Sequence, residues 1–171
     1  DGLGAELFFD ERLVVPDQEL TLGQGALAPW AKSKSPYFLQ TIEALSKHYE
    51  FDRKKKWKDL PAQIHQVFLF GSGEEEIRFA YDDGLRAYQV KKPFEGVVRN
   101  LERRYIETES EWAREEISRF MSDSPCAACA GHRLKPEALA VKLWERGIAD
   151  YNGMTVDAAA GLFTALKLSG R

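Results

Sequence analysis

Residues 77–105 read IRFAYDDGLRAYQVKKPFEGVVRNLERRY, and the change of period inside this stretch decides the fold. Ile77, Phe79 and Tyr81 alternate with polar neighbours, Asp82-Asp83-Gly84 supplies turn chemistry, and Tyr88 and Val90 alternate on the way back. Successive side chains of a strand point to opposite faces, so this is the pattern of a β-hairpin with one buried face. From Phe94 the spacing becomes helical. Phe94, Val97, Val98, Leu101 and Tyr105 share one face, and Arg99 and Arg103, four residues apart, fall opposite it.

Working upstream, Ser35-Pro36 suits an N-cap and first helical position, and Phe38, Ile42, Leu45 and Tyr49 continue as one helical stripe. A basic stretch, Arg53 to Lys58, interrupts the pattern. A second helix follows from Pro61, with Ile64, Val67 and Phe68 on one side and Gly71-Ser72-Gly73 to stop it. Downstream, Thr108 and Glu111 have capping-box spacing, which predicts a helix from Thr108 to Met121, ended by Ser124-Pro125. Leu139, Val141 and Leu143 alternate like a strand, and Thr155 can cap a last helix bearing Val156, Ala159, Phe163 and Leu166. Residues 1–30 hold short apolar runs cut by Pro16, Gly23, Gly25 and Pro29, a passage expected to bury against something else. The expected class is α+β: a mainly helical module of about four helices and one antiparallel hairpin at 31–121. An entry segment, 1–30, and an exit segment, 122–171, supply short strands and the C-terminal helix.

The composition is that of a globular protein, with 44% hydrophobic and 30% charged residues among 171. A formal charge of −3 excludes a uniformly basic nucleic-acid binder but not a basic face, since local clustering steers a polyanion. No apolar run approaches the ~18–20 residues that span a bilayer. The N-terminus has no signal-peptide pattern and reads as the interior of a longer chain. Two cysteines, Cys126 and Cys129, are too close to staple a fold, and a reducing, cytoplasmic setting is expected.

Three groups of residues invite a chemical reading. Cys126-Ala-Ala-Cys129 is half a tetrahedral zinc site, a redox pair, or two structural thiols, with His132 the one nearby additional ligand. The basic groups are Arg53-Lys54-Lys55-Lys56-Trp57-Lys58, Lys91-Lys92, and Arg99 with Arg103. Two arginines on a solvated face suit phosphate, because guanidinium meets phosphate oxygens bidentately. The plainer reading is a charged surface in which Glu102, Glu107 and Glu109 pair with them. The acid runs Glu74-Glu75-Glu76 and Asp82-Asp83 read as a strand-edge guard and a turn. Neither glycine pair leads into Lys-Ser/Thr, so there is no phosphate-binding loop of that type, and no catalytic constellation is present.

Lys91 to Tyr105, continued by Glu107-Thr108 and Ser110, closely resembles the UvrA family of damage-sensing ATPases in bacterial nucleotide excision repair. Three further blocks agree in order: Val14-Val15-Pro16-Asp17 with Gly25–Trp30, Leu69–Glu75, and Cys126-x-x-Cys129-x-Gly131-x-Arg133-Leu134. The resemblance covers nearly the whole chain. It implies the insertion domain of that family, entered from and returning to a zinc-bearing signature region. It further implies sequence-independent backbone contacts to duplex DNA, through Lys91, Lys92, Arg99, Arg103 and Arg104, with Lys54, Lys55 and Lys56 as a second group. Cys126 and Cys129 would be a half site whose partners lie elsewhere. No cofactor is expected in this segment itself; ATP with magnesium, and zinc, would belong to the parent, as would its dimer partner and UvrB. The alternative is a gating module that contacts UvrB or the ATPase body without stable DNA binding.

Overall fold

The computed structural model of the chain describes residues 4–31, 36–82, 84 and 86–165. The chain divides into two compact units, 8–122 and a second made of 1–7 with 123–171. The elements run β1 (Ala5–Phe9), α1 (Glu11–Val14), α2 (Ala28–Ala31), α3 (Pro36–Tyr49), α4 (Ala62–Phe70), β2 (Glu76–Asp82) and β3 (Ala87–Pro93). They continue with α5 (Val97–Glu107), α6 (Glu111–Ser118), β4 (Met121–Pro125), α7 (Pro136–Leu139), β5 (Lys142–Leu143), β6 (Arg146–Gly147), α8 (Ile148–Asn152) and α9 (Val156–Thr164). The class is α+β. The chain passes between the units along β1 and β4, which pair with each other.

Every buried apolar side chain among the described residues lies in unit 8–122. Phe68 on α4 is fully buried, and the rings of Trp30, Phe51, Trp57 and Phe94 surround it edge-on at centroid distances of 6.4, 5.9, 6.3 and 6.1 Å. That geometry sets the positive edge of one ring against the negative face of the next. The hairpin forms as its alternation requires. Ile77, Phe79 and Tyr81 are buried, and Phe79 lies opposite Val90 in the ladder. Helix α3 clamps β2 at both ends. The Gln40 amide donates to the Asp82 carbonyl (2.6 Å) and accepts from the Asp82 N–H (3.1 Å), standing in for a strand partner. At the other end the Glu75 carboxylate takes His48 Nε2 (2.7 Å) and the Tyr49 hydroxyl (2.6 Å).

The turn after α4 and the turn before α5 meet backbone to backbone. Ser72 N–H donates to the Phe94 carbonyl (2.9 Å), and Phe94 N–H donates to Ser72 Oγ (2.9 Å). Gly71 and Gly96 both have positive φ, 92° and 85°. A Cβ on Gly96 would stand 2.3 Å from Gly71 N, and one on Gly71 would stand 2.4 Å from the Phe94 carbonyl oxygen. Only glycine fits such a joint.

Several boundaries differ from the sequence reading. Phe94 precedes α5 instead of opening it, because Gly96 in positive φ is the cap. Thr108 is the C-cap of α5, and Ser110 caps α6, its Oγ accepting from Ala113 N–H (3.3 Å). Helix α6 ends at Ser118, and Met121 to Pro125, expected to finish it, form β4. Leu139 ends a short helix, so the 139–143 alternation is a strand only at Lys142–Leu143. The expected entry segment 1–30 does not end at a unit boundary: Val14, Val15, Leu22, Ala26 and Leu27 are part of the same core as α3 and α4. Thr155 caps α9 as expected, through Oγ1 accepting from Ala158 N–H (3.3 Å). The expected roles of Ser35, Asp83 and Leu166 lie outside the described residues.

Asp10, 5% exposed, ties the start of the large unit to its end. Its carboxylate accepts from Arg12 N–H (2.9 Å), from the Arg12 guanidinium (3.0 and 2.7 Å) and from the Ser122 hydroxyl (2.9 Å). The Arg12 hydrogen bonds hold this carboxyl far below the usual aspartate range. A depressed native value means that the unfolded chain binds the proton first. The contribution is therefore full above the unfolded value of about 3.9 and is lost as pH falls below it. Urea midpoints of Asp10→Asn and wild type are expected to differ most at neutral pH and to draw together steadily as pH is lowered through the window below about pH 4. A gap that stays constant through this window would refute the assignment.

Candidate nucleic-acid interface

Eight cations carry the sequence expectation, and the structure sorts them. Lys91 and Lys92 do not act as a doublet. Strand alternation puts Lys91 on the face of Arg78, its ladder partner, and Lys92 on the face of Ile77, Phe79 and Tyr81. Lys91 is paired with Glu76 at 2.9 Å. Lys92 is exposed and stands close enough to Glu95 to help hold that carboxyl below its ordinary range, after the larger effects of Arg103 and Asn100.

On α5, Arg99 is exposed and makes no ion pair among the described residues. Arg103, one turn on, is fully engaged. Its guanidinium donates to both Glu95 oxygens (2.7 and 3.2 Å) and to Glu107 (2.8 Å), which raises its pKa. Arg104 sits ~140° around the helix from Arg99, beside the apolar face, also without an ion pair among the described residues. Ile106, 79% exposed, continues the Arg99–Arg103 face.

The 53–58 stretch is likewise divided. Lys54 and Lys55 are exposed and unpaired among the described residues. Lys56 and Lys58 both hold Glu19, at 2.6 and 2.5 Å, and Arg53 lies 3.8 Å from Glu43. Trp57, the aromatic inside this cluster, is 4% exposed and stacked on His65, so it is core. The carboxylate that organises the interface, Glu95, was missed by the sequence reading. It lies eight residues before Arg103 and ahead of the helix cap, where helical spacing gives no signal. Glu107, four residues after Arg103, was within reach of that spacing.

Cys126 and Cys129 are both unoxidised. They occupy a tight turn in which Ala130 N–H donates to the Cys126 carbonyl (2.7 Å) and Arg133 N–H donates to Cys129 Sγ (3.3 Å). The backbone N–H of Arg133 first, then those of Gly131 and His132, push the Cys129 thiol below its ordinary value. An N–H aimed at sulfur favours thiolate, the form that binds metal. Two thiolates can supply two of the four ligands of a tetrahedral zinc site. No group of three or more candidate ligands gathers among the described residues.

Residues 10–119 match the family model described as the UvrA DNA-binding domain. UvrABC system protein A of Bradyrhizobium diazoefficiens is 56% identical over 95% of this chain, and that of Mesorhizobium japonicum is 54% identical over 97%. The chain belongs to the UvrA family. It spans 16% and 17% of the length of those two relatives. The solved UvrA2 of Deinococcus radiodurans shares the fold, with a TM-score of 0.61 and 22% identity, over 95% of this chain and 21% of that one. Two of the blocks that resemble UvrA, Leu69–Glu75 and Lys91–Tyr105, are the ones joined at Gly71 and Gly96. The match over 10–119 also falls inside unit 8–122. Among the described residues no helix is long and apolar enough to cross a membrane.

Proposed function

We propose that residues 8–122 bind duplex DNA through its backbone, independently of sequence, within a nucleotide excision repair protein of the bacterial cytoplasm. The observation that carries this reading is the UvrA DNA-binding-domain match over 10–119, together with five exposed cations that form no direct ion pair among the described residues. These are Lys54, Lys55, Lys92, Arg99 and Arg104. Lys56 serves mainly to hold Glu19, Lys91 to bridge the hairpin through Glu76 and Arg103 to tie α5 to Glu95, a smaller part in binding than the sequence reading assigned them. Phosphate contact positions a protein on DNA without reading bases, which suits recognition of many lesions by duplex deformability.

ATP hydrolysis with magnesium, dimerisation and contact with UvrB are assigned to the rest of the parent polypeptide. Cys126 and Cys129 supply two thiolates to a zinc whose other ligands lie elsewhere. The small unit supports a second role for its own surface. Leu134, Val141, Leu143, Ile148 and Phe163 line an apolar hollow of about 400 Å³, and Val141 and Phe163 are 70% and 49% exposed. Exposed apolar surface of this kind marks an interface, here with the remainder of the parent.

Fluorescence anisotropy of a labelled duplex tests the DNA reading. Neutralising four or five phosphates gives a slope near −4 in log affinity against log salt, so affinity falls more than ten-fold between about 50 and 200 mM. A salt-independent affinity, or none at low salt, would leave only the gating role.

A further inference from the structure

Between α3, β2 and the turn before α5 lies a cavity of about 110 Å³ that the backbone contacts above do not use. Phe79 and Tyr81, 1% and 5% exposed, line it from the core side, and Trp30 and the partly exposed Tyr37 line it with them. Tyr37 stacks on Tyr81 at 4.5 Å and 16°. The polar lining includes Lys92 and Asn100. The Asn100 amide N–H₂ donates to Glu95 (2.8 Å), which leaves its carbonyl oxygen without a partner among the described residues. An enclosed aromatic cavity of about 150 Å³ admits a benzene ring; this hollow is smaller but open to solvent on one side, so it can seat one six-membered ring in part and has no room for two.

We infer that this aromatic hollow receives a single pyrimidine base turned out of the duplex, with Lys92 holding the phosphate beside it. The inference rests on the DNA-binding reading. Base faces stack on aromatic rings without regard to sequence, and the free Asn100 carbonyl can accept from the edge of the base. Unpairing is easiest where a base is mismatched or damaged. A hollow that accepts any extruded pyrimidine therefore converts loss of pairing into affinity, whatever the lesion. The one-ring size also excludes intact purines.

The test uses the whole 171-residue chain and two labelled duplexes, one fully paired and one with a single thymine–thymine mismatch. Wild type is expected to bind the mismatched duplex about ten-fold more tightly. It should also protect the mismatched thymine from permanganate, which attacks the exposed C5–C6 bond of unstacked thymine. Tyr37→Ala, which removes a partly exposed wall, should bring the ratio to about one and abolish protection while affinity for paired duplex is kept. Asn100→Leu gives the same test should Tyr37→Ala fail to fold, as judged by circular dichroism. Equal affinity for both duplexes with salt-sensitive binding would overturn the hollow and leave the DNA-binding reading standing. A mismatch preference that survives both variants, or a thymine made more reactive on binding, would also overturn it. Absence of binding to either duplex would remove both readings together.

Discussion

Gly96→Ala is expected to lower the stability of residues 8–122 by at least ~3 kcal/mol. Its backbone, φ 85° and ψ 156°, lies in a region essentially closed to residues with a Cβ, worth about 1–3 kcal/mol of strain. The added methyl would also meet Gly71 N at 2.3 Å and the Phe70 carbonyl carbon at 2.5 Å. Both are backbone atoms, so no side chain can rotate away. The joint must open, and with it the hydrogen bonds between Ser72 and Phe94 and the packing of Phe94 on Phe68. Against a typical total of 5–15 kcal/mol this is a large fraction. Gly73→Ala is the control: it has positive φ but open space around it, so only backbone strain of about 1–2 kcal/mol applies. Urea midpoints of the three proteins decide the matter. Equal midpoints for Gly96→Ala and Gly73→Ala would show that the joint yields.

That joint also marks where sequence reasoning stops. The hairpin, α3 and α4 were legible because their apolar periods, two and 3.6, are local properties of the chain. Gly96 was written within an apolar helical stripe, and nothing in the spacing says that it faces Gly71, twenty-five residues earlier. Strand β4 carries no alternation strong enough to outweigh the helical reading of 108–121, and it exists because β1 pairs with it from the far end of the segment. Thr108 and Ser110 are both competent caps, and the choice between them depends on where α5 ends. The basic residues were legible as a set but not individually. Formal charge is written in the sequence, whereas the identity of the carboxylate that neutralises it is a matter of tertiary position. Glu19 reaches Lys56 and Lys58 across more than thirty residues, and Glu95 reaches forward over a helix cap to Arg103.

This division of the cations predicts unequal effects from two arginines one turn apart. Arg99→Glu combined with Arg104→Glu is expected to weaken duplex binding by about 100-fold or more at low salt, since two phosphate contacts become two repulsions. Arg99→Ala alone should reduce the magnitude of the salt slope by about one, uniformly across DNA sequences. Arg103→Ala should leave the slope unchanged, because a guanidinium already held by Glu95 and Glu107 releases no counterion from DNA. Its loss should appear instead as a small fall in stability, as is usual for solvent-exposed ion pairs. Measuring slope and unfolding midpoint on the same variants separates the roles. If Arg103→Ala flattens the slope as much as Arg99→Ala does, the ion pairs open on DNA and phosphate, not Glu95, is the functional partner of Arg103. If neither changes it, the binding face lies elsewhere on the unit, with Lys54 and Lys55 the next residues to reverse.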